Sequence, residues 1–166
     1  MEFRADLVAG FIEHLTKERD VSPNTVKAYR RDLAEFAAFL GPYFGEGAWD
    51  WEKVDRLAMR AFLAHLARRG LARRSSARAL SAVRSFYAWM HRQDIVVDNP
   101  ARSVGSPKLE RHLPGHLDRG QVETLFVALQ TRASEGRFPD VRNLAILELF
   151  YSAGLRVSEL RGVNRQ

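Results

Sequence analysis

The chain has no cysteine among its 166 residues. That excludes disulfides and thiolate metal sites, and it is compatible with a reducing, cytoplasmic setting, where the protein is expected. No stretch approaches the roughly 18 consecutive apolar residues of a membrane span, so no membrane partner is expected. The opening Met1-Glu2-Phe3-Arg4-Ala5-Asp6 carries acids and lacks a long apolar run, which argues against a secretory signal there. There is no Gly-rich phosphate loop and no Ser-His-Asp signature. His14, His65, His91, His112 and His116 lack metal-ligand spacing, so no metal site is expected. Alternating strand patterns are missing too, with nothing longer than Ile95-Val96-Val97. The most telling absence is of one charge: between Arg56 and Arg92 there is not a single Asp or Glu.

What is present is a chain able to fold. It is 46% hydrophobic and 28% charged, enough to bury a core. The net charge of +6 favours a polyanionic partner such as nucleic acid, or an anionic membrane surface, although a merely basic soluble protein has the same balance.

Helical periodicity runs almost throughout. A first helix is expected over about Phe3 to Arg19, with Phe3, Leu7, Phe11 and Leu15 recurring every four residues. Ser22-Pro23 opens a second, serine as N-cap and proline at the first position, where no amide proton is needed. Its core stripe is Val26, Tyr29, Leu33, Phe36 and Leu40, and Gly41-Pro42 is expected to stop it. A loop rich in Gly and Trp is expected over 43–53. A third helix covers about Asp55 to Arg69, with Leu57, Phe62, Leu63 and Leu66 inside and Gly70 as its stop. The fourth covers about Ser75 to Arg92. Leu80, Val83, Tyr87 and Met90 form its apolar stripe, Phe86 sits at the edge, and Trp89 projects toward the basic side.

Residues 99–115 then lose periodicity and carry Pro100, Gly105, Pro107, Pro114 and Gly115, the composition of a linker or functional loop. Beyond it, Asp118 can cap a helix of about Arg119 to Leu129, and Pro139-Asp140 starts another that Gly154 ends. The expected organisation is therefore residues 1–98, a linker over 99–115, and residues 116–166 as the front of a second domain. Those last residues are too few to cover their own apolar faces.

The acid-free interval holds Arg56, Arg60, Arg68, Arg69, Arg73, Arg74, Arg78, Arg84 and Arg92. Ordinary surfaces mix signs, so a one-sign run is informative. At about 100° per residue, Arg74, Arg78, Ser81, Ser85 and Arg92 fall together on the fourth helix, opposite its apolar stripe. Guanidinium groups can fork onto phosphate or guanine, serines can bond phosphate or base, and small serines permit close approach. Asn24, Lys27 and Arg31 form a smaller patch on the second helix. A solvated arginine-rich face is the plain alternative.

Near the end lies Leu147-Glu148-Leu149-Phe150-Tyr151-Ser152-Ala153-Gly154-Leu155-Arg156-Val157-Ser158-Glu159-Leu160. An apolar helix meets a glycine stop, a lone arginine, and a new helical turn. Such an arginine suits bidentate recognition of a phosphate.

Three segments together resemble the Xer-type tyrosine recombinases of the phage-integrase family. They are Ser22-Pro23-Asn24-Thr25-Val26-Lys27-Ala28-Tyr29-Arg30-Arg31-Asp32-Leu33, then Ser75 to Tyr87 followed by Asn99-Pro100-Ala101 and Pro107-Lys108, and finally Gly154 to Leu160. Their order and spacing match the family along essentially the whole chain. The resemblance implies an all-α chain: a SAM-like four-helix core-binding domain, followed by the first helices of a mixed α/β catalytic domain. It assigns the second and fourth helices to the DNA groove. The candidate DNA contacts are Asn24, Thr25, Lys27, Arg31, Arg73, Arg74, Ser75, Arg78, Ser81, Arg84, Ser85 and Lys108. It makes Arg156 the first catalytic arginine and Glu159 its supporting acid.

The mechanism implied needs no metal or nucleotide cofactor. A tyrosine hydroxyl attacks the scissile phosphate and forms a covalent DNA–protein intermediate, while arginines, a lysine and histidines neutralise the phosphate oxygens. The implied partners are a duplex recombination site and further recombinase subunits in a synaptic tetramer. In the family the nucleophile follows the arginine motif. Here Tyr29, Tyr43, Tyr87 and Tyr151 all precede Arg156, so no nucleophile is expected in this chain. The chain should bind DNA without cleaving it. A stand-alone helical DNA-binding or regulatory module, and a helical interaction protein that binds no nucleic acid, are the competing readings.

Overall fold

Capping chemistry sets where the helices begin. The computed structural model describes residues 2–45, 49–108 and 115–163, with side chains from Asp6 onward within those ranges. The chain divides into two units, one through Arg111 and one from His112. All described secondary structure is helical.

In the first unit α1 runs Glu2–Lys17, α2 Pro23–Phe44, α3 Arg56–Arg68 and α4 Arg73–Arg92. Ser22 caps α2 by accepting the Thr25 amide, with Pro23 just inside. Asp55 caps α3 through the Ala58 amide at 2.8 Å. Gly41-Pro42 does not stop α2, which continues to Phe44. Pro42 cannot satisfy the carbonyl four residues back, on Ala38, but Ala38 is exposed and water can take that acceptor. Phe44 packs against the core, and Gly45 ends the helix at a φ of 91°.

The core is built from buried faces of all four helices, among them Phe11, Leu33, Phe36, Met59, Phe62, Leu80, Phe86 and Met90. Two expected positions are corrected. Leu57 is 63% exposed, and Ala58 and Met59 are buried in its place. Leu57 lies nine residues before Leu66, roughly 180° around the helix from that buried side chain. Phe86 is not at the edge but fully buried.

The Gly/Trp segment contributes more to the core than loop composition suggests. Asp50 caps a short 3-10 turn, Trp51–Lys53, through the Trp51 amide at 2.6 Å. That turn drives Trp51 between Phe36 and Phe86, with ring centroids 6.1 and 4.9 Å away. Trp49 stands edge-on to Trp51 at 4.9 Å. Trp89 also differs from expectation. It turns toward α1, stacks on Phe86 at 6.1 Å and lies 5.9 Å from Phe11. Gly10 permits this approach: a Cβ there would stand 3.3 Å from the Trp89 ring.

The segment after α4 is not featureless. A second 3-10 turn, Pro100–Ser103, is capped by Asn99 and packs on α3 and α4. Ala101 is fully buried and Val104 nearly so.

In the second unit Asp118 and Gln121 form a reciprocal cap on α5, Arg119–Ala133. α6 spans Phe138–Ala153 and packs against α5, and α7 is the single turn Val157–Leu160. Gly154 ends α6 in the left-handed region at φ 63°. None of these helices has a fully buried residue, and Phe138, Tyr151, Val127 and Val157 stand more than half exposed.

Candidate nucleic-acid interface

α4 presents two unlike faces because its apolar and polar residues segregate at helical period. Leu80, Val83, Phe86, Tyr87 and Met90 are buried. Arg73, Arg74, Ser81 and Arg92 are exposed, and Ser75, Arg78, Arg84 and Ser85 are half-buried. The helix begins at Arg73, two residues earlier than expected, with no acid in its first turn and no side-chain cap. The positive end of its dipole therefore carries two further cations, an arrangement that attracts anions. On α2, Asn24, Lys27 and Arg31 are exposed and Thr25 is half-buried, its hydroxyl 2.9 Å from that of Ser22.

An ion pair joins the two helices at this surface. Arg78 donates from Nε to Asp32 Oδ2 at 2.8 Å and from Nη2 to Asp32 Oδ1 at 3.1 Å. The Asp32 side chain is 7% exposed and that of Arg78 35%. Arg31 Nε stands 3.8 Å from the same carboxylate. Hydrogen bonding to Asp32 raises the Arg78 pKa further above its already high value, so the guanidinium stays charged. One buried acid thus gathers an arginine from each helix. Sequence reasoning missed Asp32. The signal available was its place four residues before the core Phe36, on the edge of the apolar stripe.

Arg84 is oriented differently from its neighbours. It donates from Nε to the Ala101 carbonyl at 2.9 Å, from Nη2 to the Val104 carbonyl, and from Nη1 to the Ser106 hydroxyl at 2.8 Å. Asn99 completes the junction. Its Nδ2 donates to the Arg84 carbonyl at 3.0 Å, and its Oδ1 accepts from the Ala101 amide. The chain's own carbonyls therefore occupy this guanidinium. Arg69, also from the acid-free run, pairs with Glu35 of α2. Lys108 is exposed.

The arginine motif lies in the second unit. Gly154 ends α6, and Arg156 is the N-cap residue of α7. Glu159 reaches back: its Oε2 accepts the Arg156 amide at 2.6 Å and its Oε1 the Arg156 Nη1 at 3.1 Å. First the amide, then the guanidinium, holds the Glu159 carboxyl below the usual carboxylate range. The Arg156 side chain is 82% exposed, so most of its fork is open to a ligand.

Tyr87 is buried and donates to the Trp51 carbonyl at 2.9 Å. Burial, and secondarily the charge of Asp50, push its hydroxyl far above the ordinary tyrosine range.

Comparison with known proteins agrees with this architecture. Residues 8–94 match the family described as phage integrase, N-terminal SAM-like domain. The chain is 43% identical over 156 residues to the tyrosine recombinase XerC of Pelobacter propionicus, covering 94% of this chain and 50% of that protein. It is 42% identical over 161 residues to XerC of Pseudomonas aeruginosa strain LESB58, covering 97% and 50%. XerC of Pseudomonas fluorescens strain Pf0-1 is 42% identical over 154 residues, covering 93% and 49%. The chain spans about half the length of these curated relatives. A helical unit whose α2 and α4 share a basic surface, a matching SAM-like domain and an ordered arginine motif together place this chain in the phage-integrase family of tyrosine recombinases, of Xer type.

Proposed function

We propose that this chain is the DNA-gripping portion of a site-specific tyrosine recombinase, serving chromosome dimer resolution or DNA integration. The carrying observation is the acid-free face of α4, joined to the cationic end of α2 through Asp32 and Arg78. Residues 1–98 act as the core-binding domain, 99–115 as the interdomain linker, and 116–166 as the start of the catalytic domain. Asn24, Lys27, Arg31, Arg73, Arg74, Ser75 and Ser81 supply phosphate and base contacts from the two helices. Arg156, oriented by Glu159, supplies charge to a scissile phosphate; removing one such preorganised donor typically costs roughly 10²–10³ in rate.

Cleavage in the complete enzyme runs through a phosphotyrosine, and the whole protein works with partner recombinase subunits on DNA in the cytoplasm. No tyrosine follows Arg156 in this chain, so the chain binds duplex without forming a covalent adduct. Two measurements test this. Anisotropy with a labelled duplex should show affinity falling steeply with salt, and no binding at low salt overturns the reading. A suicide-substrate assay should yield no protein–DNA adduct; an adduct refutes the assignment of the nucleophile outside these residues.

A further inference from the structure

We propose that Asp32 is a positioning residue for DNA binding: it holds one edge of the Arg78 guanidinium so that the other edge meets a phosphate. This rests on the DNA-binding reading above. An arginine on a helix surface samples many rotamers, and fixing it on a ligand costs entropy. Here the bidentate contact to Asp32 has already fixed it. That contact uses Nε–H and one Nη2–H. Of the five donors, the two on Nη1 and the second on Nη2 remain, and these make up the end-on fork that matches a phosphate.

The exposures give the pair a direction. The carboxylate is nearly covered while the guanidinium reaches solvent, so the cation screens the acid from an approaching polyanion. Arg31, on the exposed turn of α2, is drawn to the same carboxylate. One acid thereby sets the spacing of two cations on adjacent helices. A buried ion pair is a weak source of net stability, because desolvating the two charges offsets their attraction. What this pair does supply is a guanidinium held ready for a ligand.

The proposal makes a prediction opposite in sign to simple charge counting. Asp32→Asn raises the net charge by one, and long-range electrostatics alone would then strengthen DNA binding. Loss of positioning weakens it instead. The experiment measures anisotropy of the 166-residue chain on a duplex across a salt series, with thermal unfolding of each variant beside it. Expected for D32N is a roughly tenfold loss at fixed salt and a salt slope lowered by about one, as for Arg78→Ala. The D32N/R78A double variant should bind no more weakly than R78A alone. A merely structural role for Asp32 would lower the melting temperature and leave the salt slope unchanged.

Arg78→Lys keeps the charge and guards against a D32N that fails to fold. A lysine cannot serve the carboxylate and a phosphate with two forks, so the same weakening is expected. D32N binding as tightly as wild type or tighter, additive D32N and R78A effects, or R78K binding like wild type overturns the positioning role. Wild type that does not bind duplex at low salt overturns the DNA reading itself, a different outcome.

Discussion

Replacing Arg84 by alanine separates two things an arginine on α4 could do. Its guanidinium bonds the carbonyls of Ala101 and Val104 and the hydroxyl of Ser106. Ser106 is exposed, so that bond contributes little. The two carbonyls belong to residues 0% and 7% exposed, and removing the donor leaves buried acceptors that cost about 1–3 kcal/mol each. Arg84 is half-buried, so water entering its place recovers part of this, leaving about 2–3 kcal/mol in all. That raises the open population of the 99–106 segment roughly 30- to 150-fold at about 1.4 kcal/mol per factor of ten. Arg102 lies in this segment, exposed but with its amide bonded to the Asn99 carbonyl at 3.1 Å. Tryptic cleavage after Arg102, followed by mass spectrometry at low protease, tracks that population. Cleavage at Arg102 should accelerate by that factor in R84A, while the salt slope of DNA binding stays at the wild-type value. An unchanged cleavage rate refutes the idea that Arg84 holds the 99–106 segment closed. An unchanged rate with a slope lowered by about one makes Arg84 a DNA contact, as its place on the helix suggests.

Other outcomes are equally measurable. Phe86→Ala removes the ring touching Phe11, Trp51 and Trp89, and should cost about 3–5 kcal/mol in urea unfolding, a large share of the roughly 5–15 kcal/mol of a small domain. Arg74→Ala, at an exposed site, should leave unfolding unchanged and lower the salt slope by about one. The Glu159 carboxyl is depressed, so its support of the α7 cap is present above its ordinary value near 4.5 and lost as pH falls through the folded value. The Arg156 amide shift in an NMR pH titration should follow that loss, and Glu159→Gln should abolish it.

Most of the helical architecture was legible in the sequence because caps and periodicity are local. Ser22-Pro23, Asp55, Asp118 and Gly154 mark ends that the structure places within a residue or two. What escaped depends on partners distant in sequence. Nothing local says that α1 covers the Trp89 side of α4, or that a Gly/Trp loop drives Trp51 into the core. The acid-free interval identified the cationic helix, yet its arginines look alike in sequence. Only tertiary contacts distinguish Arg78, half occupied by Asp32, from Arg84, which is turned onto the segment after α4. Pro42 misled because the carbonyl it leaves without a helical donor belongs to exposed Ala38, where water can serve, and α2 runs on to Phe44.

All three tryptophans of the chain, Trp49, Trp51 and Trp89, lie in the first unit, and two of them are buried among other rings. Intrinsic tryptophan emission is therefore a reporter for that unit alone. Far-UV circular dichroism sums the helices of both units, including α5 and α6, which bury no residue completely. A melt followed by the two signals measures two different objects. Only where the curves coincide does one unfolding free energy describe the whole chain; where they part, the interval between them is the spectroscopic signature of the arginine-motif unit.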